Sequence, residues 1–290
     1  MKLHPVDALH VLYFTLVGAT VVAFSARVPE APALAAANLG AAAAIGLFGA
    51  LVLDRLERGR ATVGRCAIAM IVIPFAFTEL AMIVGHVNPR RYEEALLAID
   101  VDLFGFDPMR ALEPYHAAPL TELLQVVYSS FYFLPLLLGI SLGRRRMWAE
   151  LETAIATIVL GFYVSYVGYV IVPAQSPYHV FEYEKPLEGL LLVDRIRASI
   201  DTLEIHRLNC FPSGHVEVTF VVVALAWKWA RRLFLFLLPW GLLLWLGTIY
   251  LRYHYTIDTL VGLALVPPVL AAGRWLARTT ETVPGTVCRR

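Results

Sequence analysis

The stretch RRLFLFLLPWGLLLWLGTIYLRYHYTID, Arg231 to Asp258, opens on two arginines, runs apolar for some twenty residues and closes on arginine, histidine and aspartate. A bilayer core is crossed by about 20 apolar residues of helix, and Leu233–Leu251 has that length. A span with different polar chemistry at its two ends has a direction. The rest of the chain has to say which end faces which compartment.

The same composition recurs throughout. Of 290 residues, 59% are hydrophobic and only 16% charged, and the mean hydropathy is +0.66. Eight spans are expected: Ala8–Ser25, Pro32–Leu53, Val63–Val87, Leu120–Leu142, Ala154–Val172, Val216–Ala230, Leu233–Leu251 and Tyr255–Leu270. The sixth and eighth are short enough to lie buried in the bundle. Backbone polar groups cannot face lipid unpaired, so helices must dominate. The expected fold class is an all-α integral membrane protein of about eight transmembrane helices (six to eight), one polytopic domain over residues 1–290. Its N-terminal helices occupy 1–87 and a catalytic core 120–273. The Ala-rich stretch Ala31–Ala50 reads as a close-packing span. Ala23-Phe24-Ser25 loosely resembles a cleavage site, but the run before it is nearly of spanning length, so a retained first helix is expected.

Loop charges orient the bundle. Lys2; Arg55, Arg58, Arg60 and Arg65; Arg144, Arg145 and Arg146; Lys228, Arg231 and Arg232; and Arg274, Arg278, Arg289 and Arg290 fall on one set of connections, 15 of the 24 basic residues. The other nine fall on the opposite set, which includes two much longer loops, Gly85–Pro119 and Pro173–Gly214. Basic residues in short loops mark the cytoplasmic side. Both termini are then inside, and the long loops outside. The polar end of Arg231–Asp258 is therefore the outer one.

A second polar stretch arrives at that surface. CFPSGHVEVTF, Cys210 to Phe220, sets Pro-Ser-Gly-His against the outer end of the sixth span. Asp258 lies four residues after His254, so on a helix the two share a face. A carboxylate beside an imidazole fixes its tautomer and prepares the other nitrogen as nucleophile or base. Pro212 suits a first helical turn, and Ser213 and Gly214 let backbone N–H groups approach an anion closely. His215 would stand beside a bound phosphate as proton donor, with Arg207 and Arg252 to neutralise its oxygens. The arrangement suits phosphoryl transfer.

These residues resemble the type 2 phosphatidic acid phosphatase (PAP2) superfamily of membrane lipid phosphatases and phosphotransferases. Its pattern has three blocks: K-x6-R-P, P-S-G-H and S-R-x5-H-x3-D. PSGH at 212–215 matches the second completely, and HYTID at 254–258 supplies the His and Asp of the third. The Ser-Arg pair of the third falls on Gly247-Thr248, and no K-x6-R-P occurs between the fifth span and Pro212. HYTID, VPAQSP at 172–177 and the segment Asp102–Pro135 (with LFGFDP and ELLQVVYSSFYFLP) look like the branch of inositol phosphorylceramide synthase and sphingomyelin synthase. The resemblance covers about Asp100 to Leu270. It implies His254 as nucleophile, Asp258 as its orienting partner and His215 as general acid, with no metal and no cofactor. It also implies lipid substrates: a phospholipid donor and a ceramide or diacylglycerol acceptor.

Other signals are weaker. Asp100-Val101-Asp102 has the D-x-D form of some glycosyltransferases, but without a nucleotide-binding domain it reads as a solvated loop. Tyr92–Ile99 (YEEALLAI) is amphipathic and suits the outer interface. Glu79 sits inside the third span, where a carboxyl hydrogen-bonded within the bundle is expected. Glu217, two residues past His215, has no role assigned. Trp227, Trp229 and Trp240 fit inner-leaflet anchors. Cys66, Cys210 and Cys288 are widely spaced, without a C-x-x-C, so neither a zinc nor a disulfide framework is indicated. No basic tract with interleaved aromatics points to nucleic acid. The expected activity is a lipid phosphotransferase working through a phosphohistidine at the extracytoplasmic leaflet, of a bacterial plasma membrane or a Golgi-type lumen. The alternative is a lipid phosphate phosphatase acting on phosphatidate or a polyprenyl phosphate. A transporter or silent membrane scaffold fits less well, since transporters place polar groups at mid-membrane.

Overall fold

A computed structural model describes residues 3–203 and 207–281, and no strand occurs among them. Helices α1 (Pro5–Ala23), α2 (Ala31–Leu51) and α3 (Arg58–Val87) form the N-terminal part. The outer connection then carries α4 (Glu93–Phe104) and a short α5 (Pro108–Leu112). The next span is broken, with α6 (Ala118–Ser129) and α7 (Phe133–Arg144) joined by a single 3₁₀ turn. Pro135 has no N–H to offer the carbonyl of Phe131, which favours a break at that turn. α8 (Trp148–Ile171) follows. After it come the second outer connection with α9 (Pro177–Val180) and α10 (Val193–Leu203), and then α11 (Gly214–Trp229), α12 (Arg231–Tyr250) and α13 (Thr256–Glu281).

Seven of these stretches are long and apolar enough to cross a membrane, the broken α6–α7 counting as one. α11, with 16 residues, is the short eighth. It can be short because it is enclosed: Val216, Val218, Val221, Val222 and Ala226 are fully buried. The eighth expected span is corrected. α13 is not short but runs 26 residues, through Pro267 and Pro268, with much of its surface outward. α8 is the central post, packed on α1, α3, α7, α11 and α13.

Two close approaches fix the inner helices. A Cβ on Gly262 of α13 would stand 2.7 Å from the carbonyl oxygen of Ser213. A Cβ on Gly168 of α8 would collide with the ring of Pro212. Glycines at these positions let α8 and α13 close on the segment that carries PSGH. Inside the N-terminal part, buried Asn38 of α2 donates to Glu79 Oε1 of α3 at 2.6 Å, the carboxyl pairing expected within the bundle. Trp240 is no interfacial anchor: it lies ten residues into α12, and its indole N–H donates to Ser130 Oγ at 2.7 Å.

The two long connections pack together over one end of the bundle. Asn88 donates to the carbonyls of Val170 and Ile171, Glu93 accepts from the N–H of Gln175, and Arg110 donates to the carbonyl of Glu182. The opposite end holds the Arg65–Asp7 and Arg58–Glu152 ion pairs. PSGH and HYTID both lie at the end covered by the long connections.

Candidate active site

The site is assembled from the starts of α11 and α13. Ser213 is the N-cap of α11, and its Oγ accepts from the N–H of Val216 at 3.4 Å. The first N–H groups of a helix have no intrahelical partner. With Val216 capped, those of Gly214 and His215 remain as donors for an anion. A Cβ on Gly214 would meet Tyr169 Oη at 2.8 Å, so packing as well as anion approach requires glycine there. Ser213 is fully buried and contributes its cap, not a free hydroxyl.

His254 precedes α13 rather than lying on it, so the shared helix face assumed from the spacing is corrected. Contact with Asp258 arises instead because Asp258, at the third helical position, folds back over the helix start. Its Oδ2 accepts from the N–H of Tyr255 at 3.1 Å, the carboxylate half of a capping box. The same oxygen lies 3.2 Å from His254 Nδ1 and 3.0 Å from Cys210 Sγ. A carboxylate can only accept, so Nδ1 of His254 carries the proton and Nε2 keeps its lone pair. That Nε2 faces His215 Nδ1 at 3.4 Å. His215 is stacked on Tyr128, with ring centroids 4.5 Å apart, and meets Phe131 at the same distance.

Both imidazoles open onto a cavity of about 520 Å³. Its walls are largely aromatic, including Phe77 of α3, Tyr128 and Phe131 beside the break, and Phe162, Tyr166 and Tyr169 of α8. Its polar lining includes His179, Asn209, His215 and His254.

The two arginines expected at the phosphate behave differently. Arg252 is corrected. Its guanidinium is buried under the outer connections, donates to the carbonyl of Lys185 at 2.8 Å, lies 3.4 Å from Glu113 and rests over the ring of Tyr183. Burial pushes its affinity for a proton below the usual arginine range, and it does not line the cavity. Arg207 is not among the residues lining the cavity, and its Nη1 lies 3.2 Å from Nδ1 of His179, which is. Arginine has no acceptor, so His179 must accept there and present Nε2–H elsewhere.

Asp100 overturns the solvated-loop reading. It is fully buried, and its two carboxylate oxygens accept from the N–H groups of Thr256 and Ile257, each at 2.7 Å. A residue of α4 thus caps α13, and Asp258 satisfies the remaining N–H at Tyr255. No sequence signal marks this, because donors and acceptor are more than 150 positions apart. Cys210, Tyr128 and His179 likewise carry no site role in the sequence reading. Cys210 lies inside CFPSGHVEVTF and Tyr128 inside ELLQVVYSSFYFLP, whereas His179 lies in neither stretch.

Burial raises the Asp100 carboxyl to about 6, opposed by its two backbone hydrogen bonds and reinforced by Asp258 and Asp107. The folded state therefore binds this proton more readily than the unfolded chain. The resulting stability is present below the ordinary carboxyl range and is lost as pH rises through about 6. The melting temperature of the wild type should carry a component that falls as pH rises from about 4 to 6, and Asp100→Asn should flatten it. Asp100→Ala leaves two buried N–H groups unpaired, at roughly 1–3 kcal/mol each. It should lower kcat more than it raises KM, because the misplaced group is the His254–Asp258 pair. Equal losses in kcat and KM for both variants would contradict this positioning role.

A bundle of helices long and apolar enough to cross a membrane, with two histidines and an aspartate gathered at one end, is an integral multi-pass membrane protein. Residues 94–272, more than half of the chain, match the family model of the PAP2 superfamily, and the chain belongs to that superfamily. The chain is 26% identical over 165 residues to a PA-phosphatase related-family protein of Dictyostelium discoideum, a match that covers 49% of this chain and 30% of that relative. It thus spans under a third of the curated relative it matches. No solved structure matches the chain.

Proposed function

We propose that this protein is a lipid phosphotransferase. It moves a phospho-head-group between lipids at the extracytoplasmic leaflet, in the manner of the sphingolipid synthases, through a phosphohistidine on His254. The observation that carries this reading is the 3.4 Å contact between His254 Nε2, deprotonated by its Asp258 partnership, and His215 in the lining of a largely aromatic cavity. Substrate phosphorus entering between the rings replaces that contact. His254 Nε2 attacks phosphorus, the bond from phosphorus to the leaving oxygen breaks, and His215 protonates that oxygen. In the second half an acceptor hydroxyl gives its proton to His215 and attacks phosphorus, and the phosphorus–nitrogen bond breaks. The N–H groups of Gly214 and His215 hold the phosphoryl oxygens. His179, held by Arg207, supplies a further donor where the superfamily pattern has Lys and Arg. The aromatic walls suit acyl chains.

Hydrolysis is the second reading, favoured by the name of the Dictyostelium relative: water then takes the place of the lipid hydroxyl. The deciding experiment incubates purified protein with labelled phospholipid, with and without ceramide or diacylglycerol, and reads products by mass. A new head-grouped lipid supports transfer, whereas free phosphate or phospho-head-group alone supports hydrolysis.

The outer placement rests on the 15 to 9 division of basic residues. On intact cells, cysteines introduced into the two long loops should react with an impermeant thiol reagent, and cysteines at Arg145 or Arg232 should not. The reverse pattern would put the site on the cytoplasmic face.

A further inference from the structure

Cys210 is buried against the catalytic pair, and the mechanism above does not use it. Its Sγ lies 3.0 Å from Asp258 Oδ2 and 3.7 Å from His254 Nδ1, and those two atoms are 3.2 Å apart. A tetrahedral ion with bonds of about 2.0–2.3 Å holds its ligand atoms about 3.3–3.5 Å from one another. At 3.0, 3.2 and 3.7 Å the three separations lie on either side of that range, so shifts of a few tenths of an ångström bring the atoms onto one face of a zinc tetrahedron. Thiolate, imidazole and carboxylate are also a donor set that zinc accepts. The carboxylate also keeps unused acceptor capacity: Asp258 Oδ1, in a fully buried side chain, has no hydrogen-bond partner. Cys210 and His254 both line the cavity, which gives the ion a path and a fourth ligand from water or a phosphate oxygen.

From this we infer that Cys210, His254 and Asp258 form an inhibitory site for a thiophilic divalent cation, zinc by preference. Binding releases the thiol proton of Cys210 to solvent, since the thiolate is the ligand. The metal takes Nδ1 of His254, and the proton on Nδ1 moves to Nε2. Nε2 then has no lone pair to offer, so occupancy of the site and nucleophilic attack are mutually exclusive. Because one proton leaves for each ion bound, affinity rises with pH.

Cobalt(II) is the direct probe, because its bond to thiolate gives a charge-transfer band in the near ultraviolet that needs no turnover to be seen. The test uses the full chain in detergent carrying Cys66→Ala and Cys288→Ala, which leaves Cys210 as its one thiol. Cobalt should produce the band in this background, zinc should bleach it, and Cys210→Ser should remove it. In activity assays zinc should inhibit and a chelator should restore the rate. With Cys210→Ser measured against its own metal-free rate, at least about 10-fold more zinc should be needed. Absence of the cobalt band in the single-thiol background would overturn the site whether or not the serine variant folds. Zinc inhibition equal in both proteins would also overturn it. The absorbance reading is independent of which reaction the enzyme performs, so its failure is distinguishable from failure of the transferase reading.

Discussion

Replacing His254 with Ala should reduce turnover to the uncatalysed background, and no substrate with a better leaving group should bring it back. The reason lies in what each imidazole can do. His254 is the ring whose Nδ1 is held by a carboxylate and whose Nε2 is left with its lone pair. If the proposed covalent route holds, removal of His254 abolishes that route, and a phosphorylated histidine trapped by rapid quench should disappear from the mass spectrum. His215 faces no carboxylate within hydrogen-bond reach among the described residues; it stacks on Tyr128 and meets Phe131. Its part in the proposed mechanism is to deliver a proton, and His215→Ala should then cost roughly 10²–10⁴ in rate, the usual range for general acid–base catalysis. A nitrophenyl phosphate ester, whose leaving group needs no proton, should recover much of that loss. Rescue confined to the His215 variant supports the division of labour. Rescue of both, or of His254→Ala alone, shows the roles to be otherwise.

Asp258→Asn should lose about 10³–10⁴-fold in kcat with the fold retained, the scale seen when a carboxylate that sets a catalytic tautomer becomes an amide. Asp258 Oδ2 accepts from three groups: Nδ1 of His254, Sγ of Cys210 and the N–H of Tyr255. An asparagine oxygen can serve Tyr255 and keep the start of α13 in place. It is a weaker acceptor for His254 and carries no charge to stabilise the imidazolium character that develops during attack. If the amide nitrogen turns to His254 instead, it donates to Nδ1 and drives the proton onto Nε2, which blocks attack outright. Circular dichroism and melting temperature should stay close to wild type while kcat collapses. An unfolded variant, or one with near-normal kcat, would contradict this role.

The spans were legible because lipid imposes one rule on every residue facing it. Apolar runs can therefore be measured along the chain, and the loop arginines set their direction. α13 was underestimated because Pro267, Pro268 and Arg274 interrupt the apolar run without ending the helix. The pairing of His254 with Asp258 was legible from spacing, although for a different reason from the one assumed: the contact comes from capping, not from a shared helix face. Arg252 was not legible. Its long side chain could reach toward the site or toward the outer connections, and only the buried Glu113 and the carbonyl of Lys185 decide between them. Asp100 was beyond reach, since nothing local distinguishes an aspartate that caps its own surroundings from one that caps a helix far along the chain. Cys210 was overlooked because metal patterns are sought as repeated cysteines, whereas this ligand set is gathered from two separate segments.

The cap supplied by Asp100 also redraws the smallest piece of this protein that could stand alone. A fragment cut at residue 120, where the apolar core resumes, would include both histidines and Asp258. It would nonetheless leave the amides of Thr256 and Ile257 facing a low-dielectric interior with nothing to accept them. Excision or grafting of the catalytic unit has to begin ahead of Glu93, so that α4 travels with it. The family match opens at residue 94, inside that same helix. An inherited module with this boundary keeps its surface helix because the helix is wired into the reaction centre, and a chimera that exchanged α4 for a foreign one would have to bring an aspartate to the same place.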